Sequence, residues 1–373
     1  MTLSRLDIAS VRNIQQATLY PAPALNFIYG ANASGKSALL EAIFLLGRAR
    51  SFRSSSIKPV IHFSHDHLMV TAQTVFTSGA HQHVGVKLDT KTCDIRINQQ
   101  TMPNKSSLAY ALPLQLIYPK SYELLDGSPQ ARREFLDWGV FHHDPAFLPA
   151  WRNYKKVLAQ RNALLKNRQS EHLKVWSQEL AYYGTIVTDC RRRYLEIFSP
   201  VFQSIAGQLL ELPAVAMSLS PGWDNSESLL QILTEDAEKD LRYGFTQNGP
   251  HRADLMLTLD RLPARDIVSR GQLKLLVISL KLAQVQLLNL NEQDSTCILF
   301  DDFAAELDVA NRAKVLRYIS NMQCQAFLTA TSPIDFGDLP NIDNYKMFHV
   351  EHGEINPVDC SMWNIKNTSE AGT

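Results

Sequence analysis

The strongest pattern in this chain is the run Gly30-Ala31-Asn32-Ala33-Ser34-Gly35-Lys36-Ser37. A β-rich stretch, Leu25–Tyr29, precedes it, and apolar residues recur at helical spacing over residues 36–46. Strand, glycine-containing loop and helix therefore follow one another. The glycines let the backbone curl, so that its N–H groups and the helix N-terminus converge on an anion. An ordinary glycine turn explains Gly30 but not the Gly35-Lys36-Ser37 triplet.

This loop predicts a site for ATP and Mg²⁺ that involves every residue from Gly30 to Ser37. Lys36 places a point charge near the β- and γ-phosphates, and the Ser37 hydroxyl is a ligand for Mg²⁺. The loop alone predicts nucleotide binding. It does not indicate what the nucleotide is used for.

A second pattern is the apolar run 296–300, which ends at Asp301 and Asp302. A run that is apolar on both faces is typical of a central strand covered by helices, and such strands present ligands at their carboxyl ends. Acidic turns after strands are common, but the phosphate-binding loop favours a functional interpretation. We expect Asp301 to hold Mg²⁺ and Asp302 to orient or deprotonate the attacking water.

The residues Ser269-Arg270-Gly271-Gln272 open an apolar helical stretch over residues 273–290. A serine and a glycine at a helix start can form a second anion site. Helix capping explains Ser269 equally well, because serine is a preferred N-cap residue. The position of this segment before the acidic strand gives it weight.

In this order the motifs resemble those of the ABC-type ATPases and, among them, the RecF family. Residues 269–272 resemble the RecF variant of the ABC signature, and Asp308 in Ala305-Glu306-Leu307-Asp308 matches the aspartate of the D-loop. Thr331 stands at the switch position, where transporters usually carry histidine. The resemblance implies that Lys36, Asp302 and Thr331 are catalytic. It also implies that residues 269–272 and Asp308 contact ATP bound to a second copy of the chain.

Further segments point to RecF rather than to a generic relative: residues 47–53, 127–137, 160–166 and 249–254. The SMC proteins resemble RecF at both ends but insert very long coiled coils, whereas only a compact helical lobe fits here. The resemblance implies an ATP-dependent homodimer with weak, DNA-stimulated ATPase activity. It implies binding to double-stranded and gapped DNA, the partners RecR and RecO, and help in loading RecA onto SSB-coated strands during repair, replication and SOS induction.

Other P-loop classes fit less well. A small-molecule kinase would use Lys36 but has no use for residues 269–272, and a transporter subunit would need a membrane partner. An SMC-like chromosome-associated ATPase, or another ABC-type ATPase outside gap repair, remains the alternative function.

The composition fits a globular protein. Lysine plus arginine equals aspartate plus glutamate at 37 each, so any DNA site must be a local patch. The five cysteines are scattered without a CxxC pair, and no apolar run has the ~20 residues of a membrane helix. We expect a reduced, cytoplasmic and nucleoid-associated protein with no membrane partner.

The expected fold is α/β, an ABC-type ATPase head with a compact, mostly helical second lobe. The head would combine a central mixed sheet, flanked by helices, with an antiparallel β region around residues 69–97. The expected boundaries are 1–118 and 246–366 for the head, 119–245 for the helical lobe and 367–373 for a disordered tail.

The candidate DNA contacts are basic residues after the P-loop helix and in the helical lobe: Arg48, Arg50, Arg53, Lys155, Lys156 and Arg161. Ordinary solvated helix faces are the competing explanation. Another alternative is that Arg132, Arg133 and Arg161 pair with carboxylates between the lobes.

Overall fold

The computed structural model describes residues 1–290, 296–305, 307–337 and 344–359. In chain order the strands are β1 (Thr2–Val11), β2 (Ile14–Leu19), β3 (Leu25–Tyr29), β4 (His67–Val75), β5 (His81–Asp89), β6 (Cys93–Ile97), β7 (Gln100–Thr101), β8 (Leu114–Ile117), β9 (Ala216–Ser220), β10 (Asp254–Leu259), β11 (Leu262–Pro263), β12 (Cys297–Phe300), β13 (Ala326–Ala330), β14 (Tyr345–Glu351) and β15 (Glu354–Val358).

The α-helices are α1 (Lys36–Arg48), α2 (Ser106–Ala111), α3 (Glu123–Asp126), α4 (Pro129–His143), α5 (Phe147–Lys166), α6 (Leu173–Leu209), α7 (Leu229–Glu235), α8 (Ala237–Tyr243), α9 (Ala264–Ile267), α10 (Arg270–Asn289) and α11 (Val309–Asn321). Short 3-10 helices span Lys58–Val60, Pro119–Tyr122, Pro250–Arg252 and Pro333–Phe336.

The chain divides into two compact units, the first formed by Met1–Lys120 and Val285–Thr373 and the second by Ser121–Gln284. The first division lies close to the expected boundary after residue 118. The second division falls inside α10 rather than after residue 245, so residues 246–284 pack with the helical unit. The expected disordered tail, residues 367–373, lies outside the described residues.

One sheet of the first unit is antiparallel, with the strand order β2-β1-β4-β5-β6-β7. Burial alternates along its strands, as in β4, where Leu68 and Val70 are buried and Met69 is exposed. This period of two is typical of a sheet with one face on the core and one in water. The predicted antiparallel region is confirmed.

The other sheet of the first unit has the order β15-β14-β3-β13-β12-β8. Strands β14, β3, β13, β12 and β8 pair in parallel, and β15 pairs antiparallel with β14. All residues of β12 and β13 are buried, which explains why these strands are apolar on both faces. The predicted central mixed sheet is confirmed.

Helix α1 is buried over residues 38–47. Leu39, Leu40 and Ile43 have no exposed surface and belong to a core that also contains inward-facing residues of both sheets. A helix that is apolar on nearly all sides is stable only when it is enclosed in this way. The burial of α1 fixes the loop that precedes it.

The second unit is mostly helical, as expected, and also contains the antiparallel sheet β11-β10-β9. Its longest helix, α6, has 37 residues, which corresponds to about 55 Å. Helix α10 is long and apolar enough to pass a membrane-span criterion by length and composition. Because 61% of its apolar 18-residue stretch is buried inside the protein, α10 has the properties of a core helix.

Candidate functional site

The predicted phosphate-binding loop connects β3 to α1, in the strand–loop–helix arrangement that the motif requires. Gly30 admits no side chain, because a Cβ atom there would lie 2.1 Å from the carbonyl oxygen of Val350. Gly35 at the N-cap of α1 has φ +124°, a conformation that favours glycine. Backbone geometry therefore requires both glycines, independently of any ligand.

The Lys36 side chain folds back over this loop. Its Nζ donates to the carbonyl oxygens of Gly30 at 2.8 Å and Ala31 at 2.9 Å. Burial lowers the pKa of Lys36, and the charges of Asp302 and Asp301 oppose that shift. The ammonium group therefore lies between the loop and the acidic strand end, as expected for a lysine that binds phosphate oxygens.

The loop is supported from outside by two turns. The side chain of Asn13, between β1 and β2, donates from Nδ2 to the Ser34 carbonyl oxygen at 2.9 Å. The N–H of Gly353, between β14 and β15, donates to the same oxygen at 2.8 Å. The sequence analysis missed Asn13, because no local pattern relates this hairpin turn to Ser34, 21 residues later.

Ser37 and Asp301 meet at the start of α1. The Ser37 hydroxyl donates to Oδ1 of Asp301 at 3.0 Å, and the side chain of Asp301 is nearly buried. A hydroxyl and a carboxylate are the hard oxygen ligands that Mg²⁺ prefers, usually together with phosphate oxygens and water. These two residues fit the magnesium role expected for them. Among the described residues, no group of three or more His, Cys, Asp or Glu side chains is placed to hold a metal ion.

Asp302 follows directly and has φ +57°, in the left-handed region. Its backbone N–H donates to Oγ1 of Thr329 at 2.8 Å. Among the acidic groups that raise the pKa of Lys36, Asp302 has the largest effect, which places its carboxylate near the lysine. The two aspartates thus lie beside the phosphate-binding loop.

Thr331, the expected switch residue, is exposed, and its hydroxyl donates to Oδ2 of Asp335 at 2.8 Å. Asp335 also belongs to a capping box with Ser332, so the Thr331 hydroxyl contributes to a local turn. The threonine that contacts the acidic pair is instead Thr329. A signal for it existed in the sequence: Thr329 is the only hydroxyl residue within the apolar strand β13.

The signature segment lies in the second unit, where it begins α10. The N–H of Ser269 donates to Oε1 of Gln272 at 2.9 Å, and the N–H of Gln272 donates to Oγ of Ser269 at 3.3 Å. This reciprocal pair is a capping box, so the alternative role of Ser269 as a helix cap is present. Ser269, Arg270 and Gly271 are exposed, and a Cβ atom on Gly271 would meet no atom within 4 Å.

Asp308 precedes α11 and caps it, accepting a hydrogen bond from the N–H of Asn311 at 2.8 Å. It is exposed, and Glu306 of the same expected D-loop lies outside the described residues. Neighbouring Val309 is 70% exposed, and Ile334, after the switch position, is 74% exposed. Both are apolar side chains in water within the first unit.

One predicted DNA contact, Arg161, is wrong. Its side chain is completely buried, and its Nη1 donates to Oδ2 of Asp240 and to Oγ1 of Thr246, both at 2.7 Å. A buried, fully paired guanidinium cannot contact a DNA phosphate. The alternative interpretation of Arg161 as an ion-pair residue is the correct one, although both partners lie inside the second unit.

Arg48 is also a poor DNA candidate. It is half-buried, its Nη2 donates to the carbonyl oxygen of Leu114 at 3.3 Å, and burial lowers its pKa to about 9. The other four predicted contacts, Arg50, Arg53, Lys155 and Lys156, are exposed. Lys155 also lies over the Trp151 ring, 5.2 Å from its centroid.

The segments 127–137 and 249–254 are joined by an ion pair and a hydrogen bond within the second unit. Arg132 binds both carboxylate oxygens of Asp254, at 2.6 and 3.0 Å, so this arginine too pairs within one unit. Arg133 donates instead to the carbonyl oxygen of Ala253 at 2.8 Å. These contacts assign a structural role to two of the segments that resemble RecF.

Comparisons with known proteins agree with this arrangement. The model of the RecF/RecN/SMC N terminal domain family matches residues 2–356. The DNA replication and repair protein RecF of Pseudomonas aeruginosa (strain LESB58) is 39% identical over 359 residues, 95% of this chain and 97% of that protein. RecF of Shewanella baltica (strain OS185) is 40% identical over 361 residues, 96% of this chain and all of that protein.

Solved structures show the same fold. A structure of the recombination mediator protein RecF with ATP, from the RecFOR pathway, superposes with a TM-score of 0.86 at 24% identity and covers 96% of this chain and 98% of that one. An Smc head domain from Pyrococcus furiosus superposes with a TM-score of 0.59 at 16% identity over the full length of both chains. The predicted ABC-type ATPase head is therefore confirmed, and the chain belongs to the RecF family of DNA replication and repair proteins.

Proposed function

We propose that this protein is a DNA-binding repair ATPase in which ATP joins two copies of the chain into a clamp on double-stranded DNA. The observation that carries the proposal is the arrangement of Lys36, Ser37, Asp301 and Asp302 at the phosphate-binding loop of the first unit. These side chains supply a phosphate-binding cation, a magnesium site and a carboxylate for the attacking water.

A second copy would complete the site. Ser269 caps a 20-residue helix that Arg270, Gly271 and Gln272 open, and the helix N-terminus is suited to the γ-phosphate of ATP held by the other copy. The exposed side chains of Val309 and Ile334 support the same idea, because apolar side chains beside the D-loop and the switch turn gain stability when a partner covers them. Asp308 would lie in that interface.

The residues of one copy have distinct roles in this proposal. The N–H groups of Gly30 to Ser37 and the Lys36 ammonium would bind the phosphates, and Ser37 and Asp301 would hold Mg²⁺. When bound, Mg²⁺ neutralises charge on the phosphate oxygens. Asp302 would orient or deprotonate the water, and Thr331 would lie near the γ-phosphate. Hydrolysis would remove the bridge between the copies, so we expect weak ATPase activity that DNA stimulates.

Double-stranded DNA would bind to exposed basic residues, with Arg50, Arg53, Lys155 and Lys156 as the candidates. Helix α5 supports this assignment, because its 20 residues include no aspartate or glutamate. Contacts to phosphates would supply affinity without reading sequence. A clamp of this kind fits recognition of duplex next to a single-strand gap.

The names of the related proteins extend the proposal to a pathway. We propose that the protein acts with RecO and RecR to promote RecA loading onto SSB-coated strands, in replication-fork maintenance and SOS induction. It would do so in the cytoplasm, associated with the nucleoid.

Analytical ultracentrifugation tests the clamp directly. We expect the protein to sediment as a dimer with ATP and Mg²⁺ and as a smaller species without ATP, and the dimer to bind a gapped duplex. A protein that stays monomeric with ATP and does not bind duplex would refute the proposal. An SMC-like chromosome-associated role would instead give ATP-dependent dimers with no preference for gapped over continuous duplex.

A further inference from the structure

Thr329 binds three consecutive residues of the acidic turn. Its Oγ1 donates to Oδ1 of Asp301 at 2.9 Å and accepts from the N–H of Asp302 at 2.8 Å. Its carbonyl oxygen accepts from the N–H of Phe303 at 2.8 Å. One buried residue on a neighbouring strand therefore holds the two carboxylate-bearing residues and the residue after them.

Strand register brings these groups together. β13 runs parallel to β12 with Phe300 opposite Leu328, so the next residues along, Asp301 and Thr329, become neighbours at the carboxyl ends of both strands. Thr329 has no exposed surface, so its hydroxyl has no access to water and depends on protein partners.

The available protons determine which atom donates in each of the two hydrogen bonds of the Thr329 hydroxyl. A backbone N–H can only donate, so Oγ1 accepts from Asp302, and the single hydroxyl proton of Thr329 is left for the Asp301 carboxylate. Ser37 donates to the same oxygen, Oδ1, at 3.0 Å. Two hydroxyl donors at Oδ1 orient the carboxylate, and Oδ2 is the oxygen that they leave available for a cation.

The same hydroxyl stabilises the backbone at Asp302. With φ +57°, Asp302 is in the left-handed region, which residues other than glycine adopt uncommonly and which a local constraint helps to maintain. The hydrogen bond from its N–H to Thr329 provides such a constraint. The direction of the Asp302 side chain therefore depends on Thr329 as well.

We infer that Thr329 is a positioning residue for Mg²⁺–ATP, which through one hydroxyl orients Asp301 toward the cation and Asp302 toward the attacking water. The inference rests on the proposed ATPase function and assigns within it a role that the exposed Thr331 does not fill. Thr329 would act only through the two aspartates. Its loss should therefore affect magnesium binding and turnover more than binding of the nucleotide itself.

The test compares Thr329→Val, which removes the hydroxyl at nearly constant shape, with Thr329→Ser, which retains it. The control is Thr74→Val, the same change at a fully buried strand threonine of the antiparallel sheet. Binding of a fluorescent ATP analogue is titrated without Mg²⁺ and then against increasing Mg²⁺, and turnover is measured separately.

We expect Thr329→Val to bind the analogue without Mg²⁺ as wild type does. Its half-saturating Mg²⁺ concentration should rise, and its kcat fall, by about 10–100-fold, the usual effect of removing a group that orients a metal ligand. For Thr329→Ser and Thr74→Val, the magnesium midpoint and kcat should both stay within about twofold of wild type. Neither change removes the hydroxyl that orients the magnesium ligands. A Thr329→Val protein with a wild-type magnesium midpoint and turnover would overturn the inference.

Failure of the wild-type protein to bind ATP with Mg²⁺ would overturn the proposed function instead. A measurement on wild type covers the case in which Thr329→Val does not fold. Amide hydrogen exchange at Asp302 should be strongly protected in the nucleotide-free protein, because its N–H is bound to Thr329. Exchange at the rate of an unstructured peptide would also overturn the inference.

Discussion

The hydroxyl of Ser37 lies 3.0 Å from Oδ1 of Asp301, although the two residues are 264 positions apart in the chain. Ser37 belongs to the helix that follows the phosphate-binding loop, and Asp301 ends a strand of the central sheet. Their hydrogen bond forms within the protein itself. The two proposed magnesium ligands therefore already face each other in the nucleotide-free protein, which reduces the conformational entropy that binding of Mg²⁺–ATP would have to offset.

Lys36→Met should abolish tight nucleotide binding. The change removes the ammonium that bonds to Gly30 and Ala31 and leaves the loop without its cation. Hydrogen bonds to charged groups contribute ~1.5–3 kcal/mol, so the Kd for ATP should rise at least about tenfold. Titration with a fluorescent ATP analogue measures this, with Lys58→Met, at an exposed lysine, as the control. Equal affinity in the two variants would show that Lys36 does not bind the phosphates.

Gly271→Ala should leave ATP binding intact and prevent ATP-dependent dimerisation. Nothing lies within 4 Å of a Cβ atom at Gly271, so the monomer should tolerate the methyl group. A γ-phosphate approaching from another copy would collide with it. Ser269→Arg should have the same effect, although it also removes the helix cap. Sedimentation with ATP distinguishes the outcomes, and a normal dimer from Gly271→Ala would place the signature outside the interface.

Asp302→Asn should bind ATP and dimerise but hydrolyse ATP slowly, by about 10²–10⁴-fold if the carboxylate acts as a general base. Asparagine tolerates the left-handed backbone at this position, and the N–H bond to Thr329 does not depend on the side chain. The fold should therefore persist, and ATP-bound dimers should accumulate. Single-turnover hydrolysis and sedimentation measure the two effects; unchanged hydrolysis would mean that another residue positions the water.

Lys155→Glu and Lys156→Glu should each weaken binding to duplex DNA and reduce its salt dependence. Each lost phosphate contact lowers the slope of log K against log salt by about 0.9. Lys91→Glu makes the same charge change at an exposed turn of the antiparallel sheet and serves as the control. Fluorescence anisotropy at several salt concentrations gives the slopes. Slopes that match the control would remove this part of α5 from the DNA interface.

His251 should make the second unit less stable in mild acid. Burial lowers its pKa to about 4, although the hydrogen bond between Nε2 and the Thr246 carbonyl oxygen, at 3.1 Å, opposes this shift. Its Nδ1 lies 2.6 Å from the Tyr154 hydroxyl. In the unfolded chain this histidine takes up a proton near pH 6.5, whereas in the folded protein it does so only near pH 4. The folded protein therefore has the full contribution of this histidine to its stability above pH 6.5 and loses that contribution as the pH falls toward 4. At pH 5 the loss should be about 2 kcal/mol.

Urea unfolding followed by tryptophan fluorescence measures this loss, because Trp138, Trp151, Trp176 and Trp223 all lie in the second unit. His251→Asn, which cannot titrate, should show a smaller difference in unfolding free energy between pH 7 and pH 5 than wild type. An equal difference in both proteins would assign the acid sensitivity to other groups.

Much of the site was predictable because its signals are local. The glycines of the phosphate-binding loop, the apolar runs of β12 and β13 and the serine that begins α10 each follow from backbone conformation or from periodicity over a few residues. Family resemblance then supplied the order of these motifs along the chain.

The choice of partner for each polar side chain was not predictable in the same way. Arg161 lies in a basic helix, as a DNA contact would, yet it is fully buried against Asp240. In the same way, Thr329 rather than Thr331 contacts the acidic pair. Asn13 supports a loop that begins seventeen residues after it. Each of these pairings depends on how separate elements pack.

The sequence by itself determined that the chain contains a phosphate-binding loop, an acidic strand end and a capped signature helix, because glycine geometry and hydrophobic periodicity act over neighbouring residues. Only the tertiary structure decided which side chains hold Asp301 and Asp302 and which arginines are buried. Strand register and packing bring together residues that are 28 positions apart, such as Asp301 and Thr329, or 264 apart, such as Ser37 and Asp301, and no local pattern records that proximity.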